Sequence, residues 1–246
     1  MEHEPGKRRI RPLDAWRAIR VLLQDPDDTG QVFRIIDALS GNTGERLFQR
    51  FRRDPTGGRI LSERRALLAT LSDRPALEAL PAGTLGRTYA EFVGREQLTA
   101  DGLVEASEVD GRRHDHGAER RLFQDRLRDM HDLWHVVTGY GRDLVGEAAL
   151  LAFSLAQTRN PGVGFIVAVA WYKAGSGAER RLMVDAFRRG RRAAWLPAQD
   201  WEALLAQPLD EVRALLRIEP APAYEPIRSA GAPPVELEAD VAARAH

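Results

Sequence analysis

The stretch that most constrains this chain is His131-Asp132-Leu133-Trp134-His135, with eleven residues between it and Glu147. Two histidines four apart share a helix face, with Cβ atoms about 5–6 Å apart. That is the reach needed to hold one metal ion from a single helix. At about 100° per residue, His135 falls near 40° from His131 and Asp132 near 100°, so the three polar side chains occupy one arc. Glu147 cannot join them on the same helix. Twelve residues of continuous helix would carry it about 18 Å from His135, whereas metal–ligand bonds are about 2 Å. The chain must turn, and Gly139-Tyr140-Gly141 is where it can, because glycine tolerates turn conformations. The spacing therefore predicts a helix, a tight turn and a returning helix that brings Glu147 back to the histidines.

The flanking pattern agrees. Phe123, Leu127, Met130 and Trp134 form one apolar stripe on the helix that carries the histidines, with Arg121, Asp125, Arg128 and Asp129 opposite. The returning segment, Arg142 to Gln157, is apolar nearly all round, which is the signature of a buried helix. A carboxylate there, Glu147, needs a cation or a proton, and a divalent metal supplies the cation. A histidine pair alone is more often a satisfied core or surface pair than a metal site, and a glutamate near a helix start gains from the helix dipole. Asp132 on the histidine arc and a buried glutamate on the returning helix together tip the balance to metal. The mixed nitrogen and oxygen set suits Zn2+, and Fe2+ or Mn2+ would accept it.

Apolar periodicity is near 3.6 throughout, and no alternating run reaches strand length. An all-α, multi-helix bundle of nine or ten helices follows, with residues 1–218 as a single helical domain. Asp14 is expected to cap a helix from Leu13 to Leu23, and Asp28 with Gln31 to form a capping box. Asp54-Pro55-Thr56-Gly57-Gly58 reads as a loop, and Ser62 as the cap of a helix from Glu63 to Leu71. Thr99 to Gly117 is charged and irregular. Residues 219–246 form a Pro/Ala-rich tail, either a mobile terminus or a strap on a partner.

Several function classes drop out. Cysteine is absent, which removes disulfides, thiolate ligands and cysteine nucleophiles. Net charge is zero, so no global field recruits nucleic acid. The charged start lacks a secretory core, and Glu2 and Glu4 interrupt a mitochondrial transit pattern. Lys7 and Lys173 stand against abundant arginine, a bias read here as bacterial base composition. The expected location is the bacterial cytoplasm, peripheral on the inner membrane. The apolar run from Val163 to Trp171 is far short of the ~20 residues that a spanning helix needs. The helices carrying Leu151 and Phe165 could instead wall a tunnel for an isoprenoid tail. Arg188-Arg189-Gly190-Arg191-Arg192, followed by Trp195, reads as an element for a membrane surface with anionic headgroups.

His131, Asp132, His135 and Glu147 at this spacing resemble the metal motif of the coenzyme Q biosynthesis protein four family. Asp25-Pro26-Asp27-Asp28-Thr29-Gly30-Gln31-Val32-Phe33-Arg34-Ile35-Ile36 resembles its N-terminal signature, and so does Leu85-Gly86-Arg87-Thr88-Tyr89-Ala90-Glu91-Phe92. The likeness runs from about residue 10 to 218. It implies an all-helical, membrane-associated protein acting late in ubiquinone synthesis on a polyprenylated quinone precursor, beside other quinone biosynthesis enzymes. A homodimer is left open. Two roles are implied: oxidative decarboxylation at the ring carbon bearing the carboxyl group, or a metal- and isoprenoid-binding scaffold. In the first, Asp132 is a ligand or a catalytic proton-handling group. An oxidative step needs an electron acceptor, and zinc cannot cycle redox states. In the second, two histidines and two carboxylates close the metal's coordination. His131-Asp132 is also a histidine-aspartate doublet of the HD phosphohydrolase type. That reading needs further ligands from His114, His116 or Asp143, which lie in loop-like or turn positions.

Overall fold

The computed structural model describes residues 10–25, 28–96 and 117–227. Within them the chain is all-helical, as the periodicity predicts. Fourteen α-helices and one short 3-10 turn are present among the described residues. The excess over nine or ten comes from apolar runs that the chain divides with caps and prolines. The stretch from Thr99 to His116 and residues 228–246 lie outside the described residues, so the expectations placed there carry no structural account.

Helix α1 spans Pro12–Leu22, α2 Thr29–Leu39, α3 Thr43–Arg53 and α4 Pro55–Glu63. Four sequence expectations fail here. Pro12 at the helix start sets the onset of α1, and Asp14 falls inside the first turn. Asp28 makes no side-chain bond to the backbone of α2; it accepts from the Gln31 side chain at 3.0 Å. The 54–58 segment opens a helix. Asp54 accepts from Thr56 and Gly57 N–H at 2.9 and 3.2 Å, and Pro55 occupies the first helical position. Ser62 lies near the end of α4 instead of capping a new helix. Arg64 in the left-handed region then terminates α4.

After α5 (Leu67–Ser72), α6 (Arg74–Glu78) and α7 (Leu85–Arg95), α8 runs Ala118–Asp129 and α9 His131–Thr138. The single helix expected to carry both the apolar stripe and the histidines is thus parted at Met130. α10 (Leu144–Thr158), α11 (Pro161–Lys173) and α12 (Gly177–Arg192) follow, then α13 (Trp201–Leu204) and α14 (Leu209–Leu216). None of the described helices is long and apolar enough to cross a membrane.

The main core joins α7, α9, α10 and α12 through Tyr89, Leu133, Val137, Leu150, Phe153 and Ala186. α12 approaches α10 closely: a Cβ on Gly190 would stand 2.5 Å from the Phe153 carbonyl oxygen. A second cluster gathers Phe48, Phe51, Ile60 and Phe123 from α3, α4 and α8. A third seats the α1–α2 hairpin on α11 through Ile19, Ile35 and Ile166. Arg126, fully buried, ties the second region to the first by a bidentate pair with Glu202 at 2.5 and 2.9 Å.

Candidate metal centre

α9 begins with the motif itself. His131 and Asp132 occupy its first turn and His135 its last. Gly139, at φ 78°, ends the helix in the left-handed conformation that glycine adopts without strain. The chain reverses through Tyr140 and Gly141. Asp143 then caps α10, accepting from Val145 and Gly146 N–H at 3.1 Å each. Glu147 lies in the first turn of α10 and returns to the histidines, as the spacing demands.

His135 Nε2 is 3.3 Å from His131 Nε2 and 3.3 Å from Glu147 Oε1. Glu147 Oε2 is 3.8 Å from His131 Nε2. The two imidazoles stand edge to face, 85° apart. Ligand atoms of His131, Asp132 and His135 all lie within 4.8 Å of one another. Phe92 of α7 stacks on His135 with ring centroids 5.7 Å apart. Arg142 Nε approaches Glu147 Oε1 at 3.5 Å.

Burial differs across the set. His135 and Asp132 are buried, while the His131 and Glu147 side chains keep 31% and 30% of their surface. The expectation of a buried Glu147 is therefore corrected. Its position in the first turn leaves the carboxylate at the rim of the helix pair, so the centre has one wet side.

The electrostatics ask for positive charge. Partial desolvation would raise the Glu147 carboxyl, but His135, His131 and Arg142 outweigh it and hold it down to about 2. Burial pushes the His131 imidazolium down, helped by the charge of His135. Burial opposes charge on His135 too, yet the Glu147 carboxylate wins and moves it up. A proton on His135 thus sits between the groups that a metal would join. Asp132 Oδ1 is buried with no hydrogen-bond partner, an arrangement that costs about 1–3 kcal/mol or more for a charged group unless a cation meets it. Two imidazoles, a rim carboxylate and an orphaned buried carboxylate oxygen fit a divalent metal.

The other nominated residues are placed differently. Leu151 lies one turn beyond Glu147 on α10 and Phe165 on α11; both are half-buried in the cluster under α1 and α2. An open cleft of about 710 Å³ lies away from them, along Glu45, Arg46, Gln49 and Arg50. The 188–192 run does not form one basic surface. Arg189 is buried and donates to the Thr138 carbonyl at 3.0 Å and to that of Glu219. Trp195 is half-buried beneath the Arg50 guanidinium, 3.9 Å above its ring. Helix periodicity turned one arginine inward, which composition could not show. Asp143, required by the phosphohydrolase reading, spends its carboxylate on the α10 cap and on Tyr224.

Sequence reasoning missed the segment 219–227 beside this centre. Tyr224 donates from its hydroxyl to Asp143 Oδ2 at 2.7 Å and accepts from Gly141 N–H at 2.8 Å. Arg213 donates to the Val136 and Val137 carbonyls, both at 3.1 Å, at the end of α9.

With this geometry in place, similarity to known proteins is informative. The family of coenzyme Q (ubiquinone) biosynthesis protein Coq4 matches residues 13–222. A mitochondrial ubiquinone biosynthesis protein coq4 from Talaromyces stipitatus is 34% identical over 177 residues, covering 71% of this chain and 60% of the relative. The Neurospora crassa counterpart is 32% identical, with 71% and 49% covered. The chain thus spans about half to three fifths of the length of these relatives. The crystal structure of a protein described as a ubiquinone biosynthesis protein from Nostoc punctiforme superposes with a TM-score of 0.60, covering 85% of this chain and 98% of that one. At 24% identity it speaks for the fold. The expected bacterial cytoplasmic location does not stand: the fungal relatives are named as mitochondrial proteins. Arginine bias reports base composition and carries no compartment signal.

Proposed function

Because the chain belongs to the coenzyme Q (ubiquinone) biosynthesis protein Coq4 family, whose members act in ubiquinone synthesis, we propose that it is a metal-dependent enzyme acting on a polyprenylated hydroxybenzoate precursor. The reaction is an oxidative decarboxylation: the bond from ring carbon C1 to the carboxyl group breaks, CO2 leaves, and a hydroxyl takes its place. The change removes two electrons from the ring; molecular oxygen accepts them and leaves as hydrogen peroxide, and water supplies the hydroxyl oxygen.

The observation that carries this reading is the unpartnered, buried Asp132 Oδ1, on a residue whose ligand atom lies within 4.8 Å of those of His131 and His135, with Glu147 Oε1 3.3 Å from His135 Nε2. In this reading His131, His135 and Glu147 would hold the ion, Zn2+ or a redox-active Fe2+ or Mn2+, which leaves a position open for substrate and Asp132 free to handle a proton. A bound divalent ion supplies Lewis acidity toward the substrate's carboxylate or phenolate. His135 is held by Tyr140, Glu147 faces the wet rim where the ring enters, and Asp132 takes the phenolic proton at Oδ1. Arg142 beside Glu147 favours an anionic substrate at that rim. The isoprenoid tail follows the apolar path from Leu151 to Phe165, displacing part of the α1–α2 cover. Other quinone biosynthesis enzymes and a lipid surface are the partners.

A second reading has its own support. Four convergent protein ligands would complete a tetrahedral shell, the mark of a structural site, and the protein would then be a scaffold that presents the lipid. Deletion of the gene and rescue with His131→Ala and Glu147→Ala tests the enzyme reading. Accumulation of the carboxylated, prenylated precursor supports decarboxylation here. Normal quinone output from both variants overturns it.

A further inference from the structure

The turn beside the centre is covered by chain that comes about eighty residues later. Segment 219–227 crosses the turn between α9 and α10 and is tied to it at each step. Arg189 binds the Thr138 and Glu219 carbonyls together. The Tyr224 hydroxyl spends its one proton on Asp143 and accepts from Gly141. Ile227 N–H donates to Asp143 Oδ1 at 3.2 Å, and Leu144 N–H donates back to the Ile227 carbonyl at 2.7 Å.

The place taken by the Tyr224 hydroxyl is shaped for it. A Cβ on Gly146 would stand 2.5 Å from that oxygen, and one on Gly141 3.1 Å. Two glycines thus leave the slot that the hydroxyl fills. The tied turn separates the two things that define the metal centre. At its start, the Tyr140 carbonyl holds His135 Nδ1 at 2.9 Å. At its end, Asp143 starts the helix whose first turn carries Glu147.

We propose that Tyr224 is a positioning residue of the metal centre, whose hydroxyl clamps the 139–143 turn and so sets the placement of His135 against Glu147. The inference rests on the reading of this centre as a metal site. Groups outside the ligand shell that orient ligands are typically worth about 10–100-fold in metal affinity. Tyr224 does so at one remove, through Gly141 and Asp143.

The test uses the full chain with Tyr224→Phe, which keeps the ring and removes both hydrogen bonds. Asp143→Asn is the second variant: Oδ1 still caps α10, while the other atom can no longer accept from the Tyr224 hydroxyl. Tyr172→Phe, at an exposed tyrosine, is the control. Amide exchange is followed without metal, and Zn2+ affinity is measured by chelator competition. Both test variants should exchange about tenfold faster across residues 139–147 and bind Zn2+ about tenfold more weakly, with α12 exchange unchanged. Wild-type exchange across the turn overturns the proposal. Faster exchange with unaltered Zn2+ affinity also overturns it, leaving Tyr224 a stabilising contact alone. Zn2+ retained at wild-type level by His135→Ala removes the metal reading itself, and the exchange data then speak only of the turn.

Discussion

The Nδ1 atom of His135 lies 2.9 Å from the carbonyl oxygen of Tyr140, five residues on. A carbonyl only accepts, so Nδ1 carries a proton, and Nε2 is the atom turned to His131 and Glu147. The turn that brings Glu147 back therefore also selects which nitrogen of His135 is offered to a metal, the arrangement in which second-shell carbonyls hold ligand imidazoles. Neither function of the turn requires the other, yet one backbone reversal performs both.

Metal content and its pH dependence follow. The purified chain should hold about one metal ion, and His135→Ala should lose it. The raised pKa of His135 means that a proton occupies the metal-free centre at and somewhat above pH 6.5. Metal must displace that proton. Affinity should be level above the shifted value and fall by about tenfold per pH unit below it. Glu147, ionised down to about 2, adds no second proton there, and His131, pushed down by burial and by the charge of His135, takes up a proton only at lower pH than His135. Zn2+ competition titrations between pH 5.5 and 8.5 give the slope; a flat profile removes His135 from the ligand set.

Asp132→Asn separates the enzyme from the scaffold. The substitution keeps shape but removes a base and a negative charge. Quinone output in complemented cells should fall by about 100-fold or more, the usual range for a lost proton-transfer group, while fold and much of the metal persist. Normal output from a folded, metal-loaded variant would exclude an essential proton role for Asp132 and favour the scaffold.

Lipid docking should involve α1 instead of the 188–192 run. Leu13 and Trp16 are 72% and 57% exposed, Val21 and Leu23 are also exposed, and Arg17 and Arg20 lie on the same face. Apolar side chains with interspersed arginine suit a headgroup boundary. The pair Leu13→Ser and Trp16→Ser should reduce flotation with anionic liposomes by at least about tenfold, since each buried side chain is worth about 1.5–3 kcal/mol. Equal flotation of variant and wild type would clear α1 of this role.

Arg126→Met should destabilise the whole domain. It leaves Glu202 without its bidentate partner and the Arg65 carbonyl without its donor. Breaking a buried pair on one side costs about 3–5 kcal/mol. Adding Glu202→Leu should return much of the loss, because a matched apolar pair carries no uncompensated charge. Thermal or urea unfolding of the single and double variants measures both effects.

The centre was legible in the sequence because its logic is local. Four-residue spacing fixes a face, and glycine at 139 and 141 marks the reversal. Asp54-Pro55 carried an equally local signal, a cap followed by a first-turn proline, yet two following glycines disguised it as a loop. Periodicity names a face but not what covers it, so Glu147 was expected to be buried and is half-open. The same limit hid Arg189, one inward residue within a basic run. Tyr224 was out of reach for a different reason. It lies in a proline- and alanine-rich stretch with no periodicity, and its partner is 81 residues upstream.

That separation also orders events in time. A chain is made from its N-terminus, and its early parts fold first. The histidines, the turn and Glu147 all leave the ribosome before Tyr224 and Ile227 exist. Throughout that interval Asp143 lacks two of its partners, and Gly141 N–H lacks its acceptor. The nascent centre is therefore untied until the 219–227 segment has been made and has reached the turn. Any truncation upstream of residue 224, however complete the helices it leaves, yields a protein in which that last knot is never drawn.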